Sequence, residues 1–387
     1  YLKIPEEIII STIEKHQKYF PLFDSRGKLT NHFFVVANKK DEKKLISEGN
    51  KRVVDARLAD AKFFWEKDRS KNLIKQIANL KTVTFYEKLG TIYDKTQRIR
   101  NLAGLLSDEL NINKEKVQVA ASISKSDLCS DLVKEYPELQ GVMGKYFALS
   151  QGFEEDVANS ISEHYLPIGL TSALPKKPFS YSVSVVDKID SLVGFFLINE
   201  KPTSSKDPFA LRRSAIGLLR VIIENKLFIK LRDLINYSIR LYEEQGVEIK
   251  NENTEMELLD FLKERMRNIL KLKNIKTDII EASVSSHVGD NFLDLYKKSI
   301  LMNKYIHKDV GIKAISSYKR ASNITDKIEK GITGRPDAVL FRTEEEKILF
   351  EKINEIRKAF TVKESNKDYE NLLIRLSETK QFTDNFF

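Results

Sequence analysis

Apolar residues recur every three or four positions along most of this 387-residue chain, a period that commits the bulk of it to amphipathic helices rather than sheet. From about Ser47, Val54, Leu58, Ala61 and Trp65 share one helical face. A second helix is expected to begin near Thr84, where Phe85, Leu89, Ile92, Thr96, Ile99, Ala103 and Leu106 step by four and three, the mark of a buried stripe in a bundle. Gly90 inside that pattern suits a close helix crossing. Residues 115 to 166 predict three more helices separated at Pro137 and Gly152 and ended by Pro167. Residues 167 to 181, rich in Pro, Ser and Lys, read as a loop before the stripe of Val186, Ile189, Leu192 and Phe196. Lys201 to Pro208 is a polar turn opening another helix, with Asp207 positioned to accept first-turn amides and Pro208 suited to the first helical position. Beyond Asn225 nearly everything is helical and charge-laced.

The one clear strand signal lies near the start. Pro5, Glu6 and Glu7 open a short helix running through Ile13. Lys18 to Asp24 and His32 to Ala37 then form aromatic and β-branched stretches around the turn residues Ser25, Arg26, Gly27 and Lys28. His16, Lys18, Tyr19 and Phe20 mix cations with aromatics, as an RNA-stacking surface does, but strand alternation turns these aromatics toward a core.

A chain this long exceeds the size at which a single core keeps growing, so two to four structural units are expected. Its net charge of +9 favours nucleic acid as a partner, although a lysine-rich proteome gives the same balance. The single cysteine, Cys129, excludes an internal disulfide framework and a cysteine zinc site, which fits the cytoplasm; it reads as a buried, inert thiol in an apolar helix. No stretch reaches the ~18 apolar residues of a membrane span. The chain starts at Tyr1 without Met and stops at Phe387, and reads as a fragment of something longer.

Few residues carry chemistry. Asp127, Asp131 and Glu135, spaced by four on an expected helix, share a face that could hold a divalent ion, but such acids are usually solvated, and Lys125 and Lys134 lie nearby. Glu163 and His164 could suggest acid–base work, but a lone Glu-His pair before a proline reads rather as a structural helix end. The five histidines include no pair at ligand spacing. Lys206, Arg212, Arg213 and Arg220 follow a strong helix start, and Arg213 and Arg220 share a face suited to phosphate unless Glu224 or another acid pairs with them. There is neither a glycine-rich phosphate loop nor a His-based adenylate motif.

Six ordered blocks resemble the bacterial glycyl-tRNA synthetase beta subunit family: HQKYFPLFD (16–24), EGNKRVVDARLADAKFFWEKD (48–68), EKLGTIYDKTQRI (87–99), EYPELQGVMGKYFAL (135–149), EHYLP (163–167) and KPTSSKDPFALRR (201–213). The likeness weakens from 225 to 316 and returns at KRASNI (319–324) and RPDAVLF (335–341). It implies a mainly α, multi-domain chain: an α/β remnant over 1–75, an HD-like helical domain over 76–200, a helical linker or body over 201–310, and the start of a helical anticodon-binding domain over 311–387. The family's N-terminal third and C-terminal end would be missing. The resemblance further implies a ligase subunit with no catalytic residue and no metal of its own. It would capture glycine tRNA for a separate alpha subunit in an alpha2beta2 tetramer, with ATP and Mg²⁺ bound by alpha. RNA contacts are expected at Lys206, Arg212, Arg213, Arg220, Lys319, Arg320, Arg335 and Arg342. The HD metal positions fall at Pro137, Glu138 and Asp187, a degenerate set, since proline offers no ligand atom. The rival readings are an HD-type metal-dependent phosphohydrolase and a helical protein-interaction scaffold.

Overall fold

A computed structural model of the chain describes residues 1–325, 336–360 and 368–387. It divides into two compact units, Tyr1–Leu262 and Lys263–Phe387. The fold is mainly helical, with two small two-stranded antiparallel sheets among the described residues. The proposed four-part division at 75, 200 and 310 is finer than these two units.

In the first unit, α1 (Glu6–Ile10) continues as a π-helical turn, Ser11–His16, and leads into the hairpin of β1 (Phe20–Phe23) and β2 (Leu29–Phe34). Asp24 makes the turn by accepting the amides of Arg26 and Lys28 at 2.8 and 3.0 Å, and Gly27 adopts φ +76°, which favours glycine. Of the hairpin aromatics, Tyr19 is half-buried and stacks on Phe33 at 5.7 Å, whereas Phe20 and Phe34, paired across the strands, depart from the inward orientation expected and are 55% and 56% exposed. A two-stranded ribbon has no second layer to cover this face.

The long α2 (Leu45–Arg69) buries the expected stripe of Val54, Leu58, Ala61 and Trp65. Trp65 stacks on Phe147 with ring centroids 5.5 Å apart and meets Tyr146 edge-on at 6.1 Å. After α3 (Leu73–Asn79) comes a departure from the expected helix at Thr84. Thr84–Tyr86 and Gly90–Thr91 pair as β3 and β4, and Gly90 sits at φ +85°, outside the helical region. Helix α4 (Ile92–Leu110) starts only after Thr91, whose hydroxyl accepts from the Asp94 amide while the Asp94 carboxylate accepts from the Thr91 amide. That reciprocal cap outweighs the apolar period running through it. Thr96, Ile99, Ala103 and Leu106 then occupy the core as expected.

Helices α5 (Lys114–Ile123), α6 (Asp131–Glu135), α7 (Val142–Ser150) and α8 (Glu155–Glu163) follow, with short 3₁₀ turns at Ser126–Cys129 and Pro137–Leu139. Ser130 is extended, so Asp127 and Asp131 do not share one helix face. Cys129 is buried, in the 3₁₀ turn rather than in a helix, and burial raises its thiol pKa. The central helix α9 (Pro178–Leu197) begins ahead of its apolar stripe and packs against α4, α5, α8, α10 (Leu211–Glu224) and α11 (Leu231–Glu244). The chain continues through α12 (Thr254–Leu272).

The second unit contains α13 (Thr277–Ser285), α14 (Phe292–Tyr305), α15 (Asp309–Thr325), α16 (Glu344–Phe360) and α17 (Tyr369–Phe386). Helix α17 packs on both α15 and α16. Ser317 meets Thr379 and Thr383 through hydroxyls at 3.0 and 2.9 Å, so this contact is small and polar rather than a heavy apolar seam.

Candidate functional site

The centre of the first unit holds an unusual density of buried charge. On α9, one helical turn separates Asp187 from Asp190, so both carboxylates point toward α4. From α4, Lys95 Nζ lies 3.2 Å from Asp187 Oδ1 and 3.1 Å from Asp190 Oδ2 and donates to Ser191 Oγ at 2.7 Å. Arg98, fully buried, donates through Nε to Asp190 Oδ1 at 2.6 Å and stacks its guanidinium over the Tyr242 ring at 3.8 Å. The Tyr242 hydroxyl donates to the Asp190 carbonyl at 3.0 Å.

A second node surrounds Asp187. Lys125, just after α5, places Nζ 3.2 Å from Asp187 Oδ1 and 2.8 Å from His164 Nε2. His164 closes α8 and its Nδ1 lies 3.2 Å from the Ser160 carbonyl; that contact assigns the proton to Nδ1 and leaves Nε2 to accept from Lys125. Lys188 donates to the carbonyls of His164 and Leu166 at 3.1 and 2.8 Å and to Ser184 Oγ at 2.8 Å.

The electrostatics follow from burial and these neighbours. Burial alone would raise the Asp187 pKa, but the ammonium groups of Lys125 and Lys95 overcome it and hold the carboxyl far below its usual range. Burial, reinforced by Lys125, pushes His164 well below its ordinary value and keeps it neutral. Burial also lowers Lys188 to about 8. Asp127, whose Oδ2 accepts the amides of Gly141 at 2.5 Å and Gly144 at 3.1 Å, is pushed up to about 6 by burial.

Chemically, two atoms of ligand character, His164 Nε2 and Asp187 Oδ1, converge on an ammonium rather than on an open position. Lysine has no lone pair to offer once charged, so the centre is closed by its own chain. Among the described residues no group of three or more His, Cys, Asp or Glu could hold a metal ion. The three residues aligned with the HD metal positions are not brought together. Pro137 and Glu138 lie in a 3₁₀ turn where Glu138 accepts from Ser11 and sits 3.4 Å from His16, whereas Asp187 lies among Lys95, Lys125 and His164. Sequence reasoning did not single out Lys95, placed Lys125 only beside the acids around Asp127, and preferred a helix end for His164.

The basic residues singled out for RNA divide into engaged and free groups. Helix α10 begins at Leu211 rather than at Pro208; Asp207 still accepts the amides of Leu211 and Arg212, at 2.8 and 3.0 Å. Arg212 bonds the Thr203 carbonyl, and Arg220 donates to the carbonyls of Gly169 and Ser172 at 2.7 and 3.1 Å, pinning the 167–175 loop instead of pairing with Glu224. Arg213 is exposed beside a 240 Å³ cavity lined by Pro167, Leu170 and Gly217. Lys206 and Lys319 are exposed; Arg320 pairs with Asp384 at 2.8 Å. Arg342 is exposed and its amide donates to Glu346, and Arg335 lies outside the described residues.

The first unit is thus a helical scaffold around a buried centre of ion-paired side chains, with further basic residues on its surface. The chain belongs to the glycyl-tRNA synthetase beta subunit family, whose profile matches residues 1–285. It is 39% identical over 388 residues to the glycine–tRNA ligase beta subunit of Rickettsia canadensis (strain McKiel), covering 100% of this chain and 56% of that protein. The corresponding protein of Clostridioides difficile (strain 630) is 34% identical over 391 residues, again across 100% of this chain and 56% of the relative. The chain thus spans just over half the length of these relatives. No helix among the described residues is long and apolar enough to cross a membrane.

Proposed function

We propose that this chain is the tRNA-handling part of a glycine–tRNA ligase, acting as beta subunit to a separate catalytic alpha subunit in an alpha2beta2 assembly of the cytoplasm. In this reading ATP and Mg²⁺ are bound by alpha, and the chain contributes to aminoacylation by capturing glycine tRNA and positioning it. The observation that carries the reading is the lysine-closed centre around Asp187 in a chain of this family. Lysine ammonium groups stand where a metal would have to sit, 3.2 Å from Asp187 Oδ1 and, for Lys125, 2.8 Å from His164 Nε2, which argues against a phosphohydrolase and favours surface cations as the functional groups. Arg213, Lys206 and Lys319 are the strongest candidates for phosphate, because no ion pair within the described residues competes for them. Phosphate contacts would fix register, with bases read in the anticodon loop.

The test is binding of glycine tRNA and a non-cognate tRNA across a salt series, for wild type, Arg213→Ala and Lys319→Ala. Cognate preference is expected, with each substitution weakening both tRNAs alike and lowering the salt slope by about 0.9. Salt-insensitive binding, or equal affinity for both tRNAs, would refute the proposal. Mass measurement after mixing with the alpha subunit tests the stoichiometry.

A further inference from the structure

The exposed hairpin carries a property that the cations of α10 and α15 lack. Residues 15–44 hold eight Lys and Arg against three Asp and Glu, so more than half of the chain's net +9 is concentrated in this short segment. All eight cations are exposed, and among the described residues only Arg26 has an ion-pair partner, Asp24 at 3.9 Å. Within this positive field, Phe20 and Phe34 oppose one another across β1 and β2 with ring centroids 6.2 Å apart, and exposed His32 lies two residues before Phe34. The strand ladder sets both residues directly opposite one another, so the two rings stand side by side on one face.

Two kinds of macromolecule could use exposed aromatics. The centre of a protein interface is depleted in charge, and lysine especially. Aromatic faces set among unpaired cations are instead how proteins hold single strands, where bases stack on rings and lysines follow the phosphates. We propose that the β1–β2 hairpin is a platform for unpaired RNA, with Phe20 and Phe34 stacking on bases while Lys18, Lys28, Lys39 and Lys40 hold the backbone. This rests on the tRNA-handling reading and extends it, because it adds an unpaired-nucleotide contact in the first unit, separate from Arg213 and Lys319.

The experiment is fluorescence anisotropy with a labelled oligoadenylate, run beside glycine tRNA, for wild type, Phe20→Ala, Phe34→Ala and a Lys39→Ala, Lys40→Ala pair. Both rings are more than half exposed, so melting temperatures should not move. Each phenylalanine substitution is expected to weaken oligoadenylate binding about tenfold, and the lysine pair to lower its salt slope by about 1.4. Oligoadenylate affinity that is absent in wild type, or unchanged by the phenylalanine substitutions, overturns the inference. If wild type still binds glycine tRNA in that case, the broader function stands; if it binds neither RNA, that reading falls as well. Loss of alpha-subunit association with RNA binding intact would make the hairpin a protein contact and would equally overturn the proposal.

Discussion

Replacing Lys125 by methionine tests whether the buried centre is held by charge. The substitution keeps most of the side-chain volume but removes the ammonium, which lies 3.2 Å from Asp187 Oδ1 and 2.8 Å from His164 Nε2. Side-chain exposures of 6% for Lys125 and 14% for Asp187 mean that water replaces little of the lost contact. Removing one partner of a buried pair costs ~3–5 kcal/mol, because the other charge stays buried without it. Lys95 remains 3.2 Å from the same oxygen and the burial penalty of Lys125 itself disappears, so the expected loss is ~3 kcal/mol, the low end of that range. For a unit of this size that corresponds to a fall in Tm of about 6–12 °C, readable by calorimetry and urea melts. Asp187→Asn supplies the second arm. In its background the Lys125 change should cost about 2 kcal/mol less, a coupling well above the ~0.5 kcal/mol of independent sites. Two single variants close to wild type in stability, with strictly additive effects, would refute the idea that this ion pair holds the centre.

Asp127 gives a pH-dependent counterpart. Its folded pKa of about 6 lies above the ordinary 3.8, so its stabilising contribution is complete below about 4 and is lost as pH rises through 6. Asp127→Asn should remove that slope. The rise from 3.8 to about 6, at 1.36 kcal/mol per pH unit, amounts to about 3 kcal/mol in all, and relative to wild type the variant gains about 2.4 kcal/mol of it between pH 4 and 7, in urea melts at each pH. Parallel stability curves would contradict it. Trp65→Ala should cost ~3–5 kcal/mol by emptying the ring site against Phe147 and Tyr146; a loss under about 1 kcal/mol would mean that α2 contributes little to the core.

The apolar period determined that this chain is mainly helical and that α2 buries Val54, Leu58, Ala61 and Trp65, and β-branched and aromatic stretches around the turn residues 25–28 determined that one hairpin lies near the start. These are local properties: side-chain spacing repeats with the backbone, so a face can be read from positions three and four apart. The signal for starting α4 at Ile92 was also present in Thr91 and Asp94, but the longer apolar stripe masked it. The Ser130 break had a local signal too, since its hydroxyl caps α6 by accepting the Val133 amide, but the outward turn of Phe20 and Phe34 was not legible, because it depends on what does or does not pack opposite. The charged centre lay furthest from view. Lys95, Lys125, His164 and Asp187 come from four separate stretches of chain, and a lysine in an amphipathic pattern reads as solvated. Only the packing of α4, α5 and α8 around α9 buries these groups together. Once water is excluded, each charge must find its partner within the protein, and that requirement is imposed by tertiary structure.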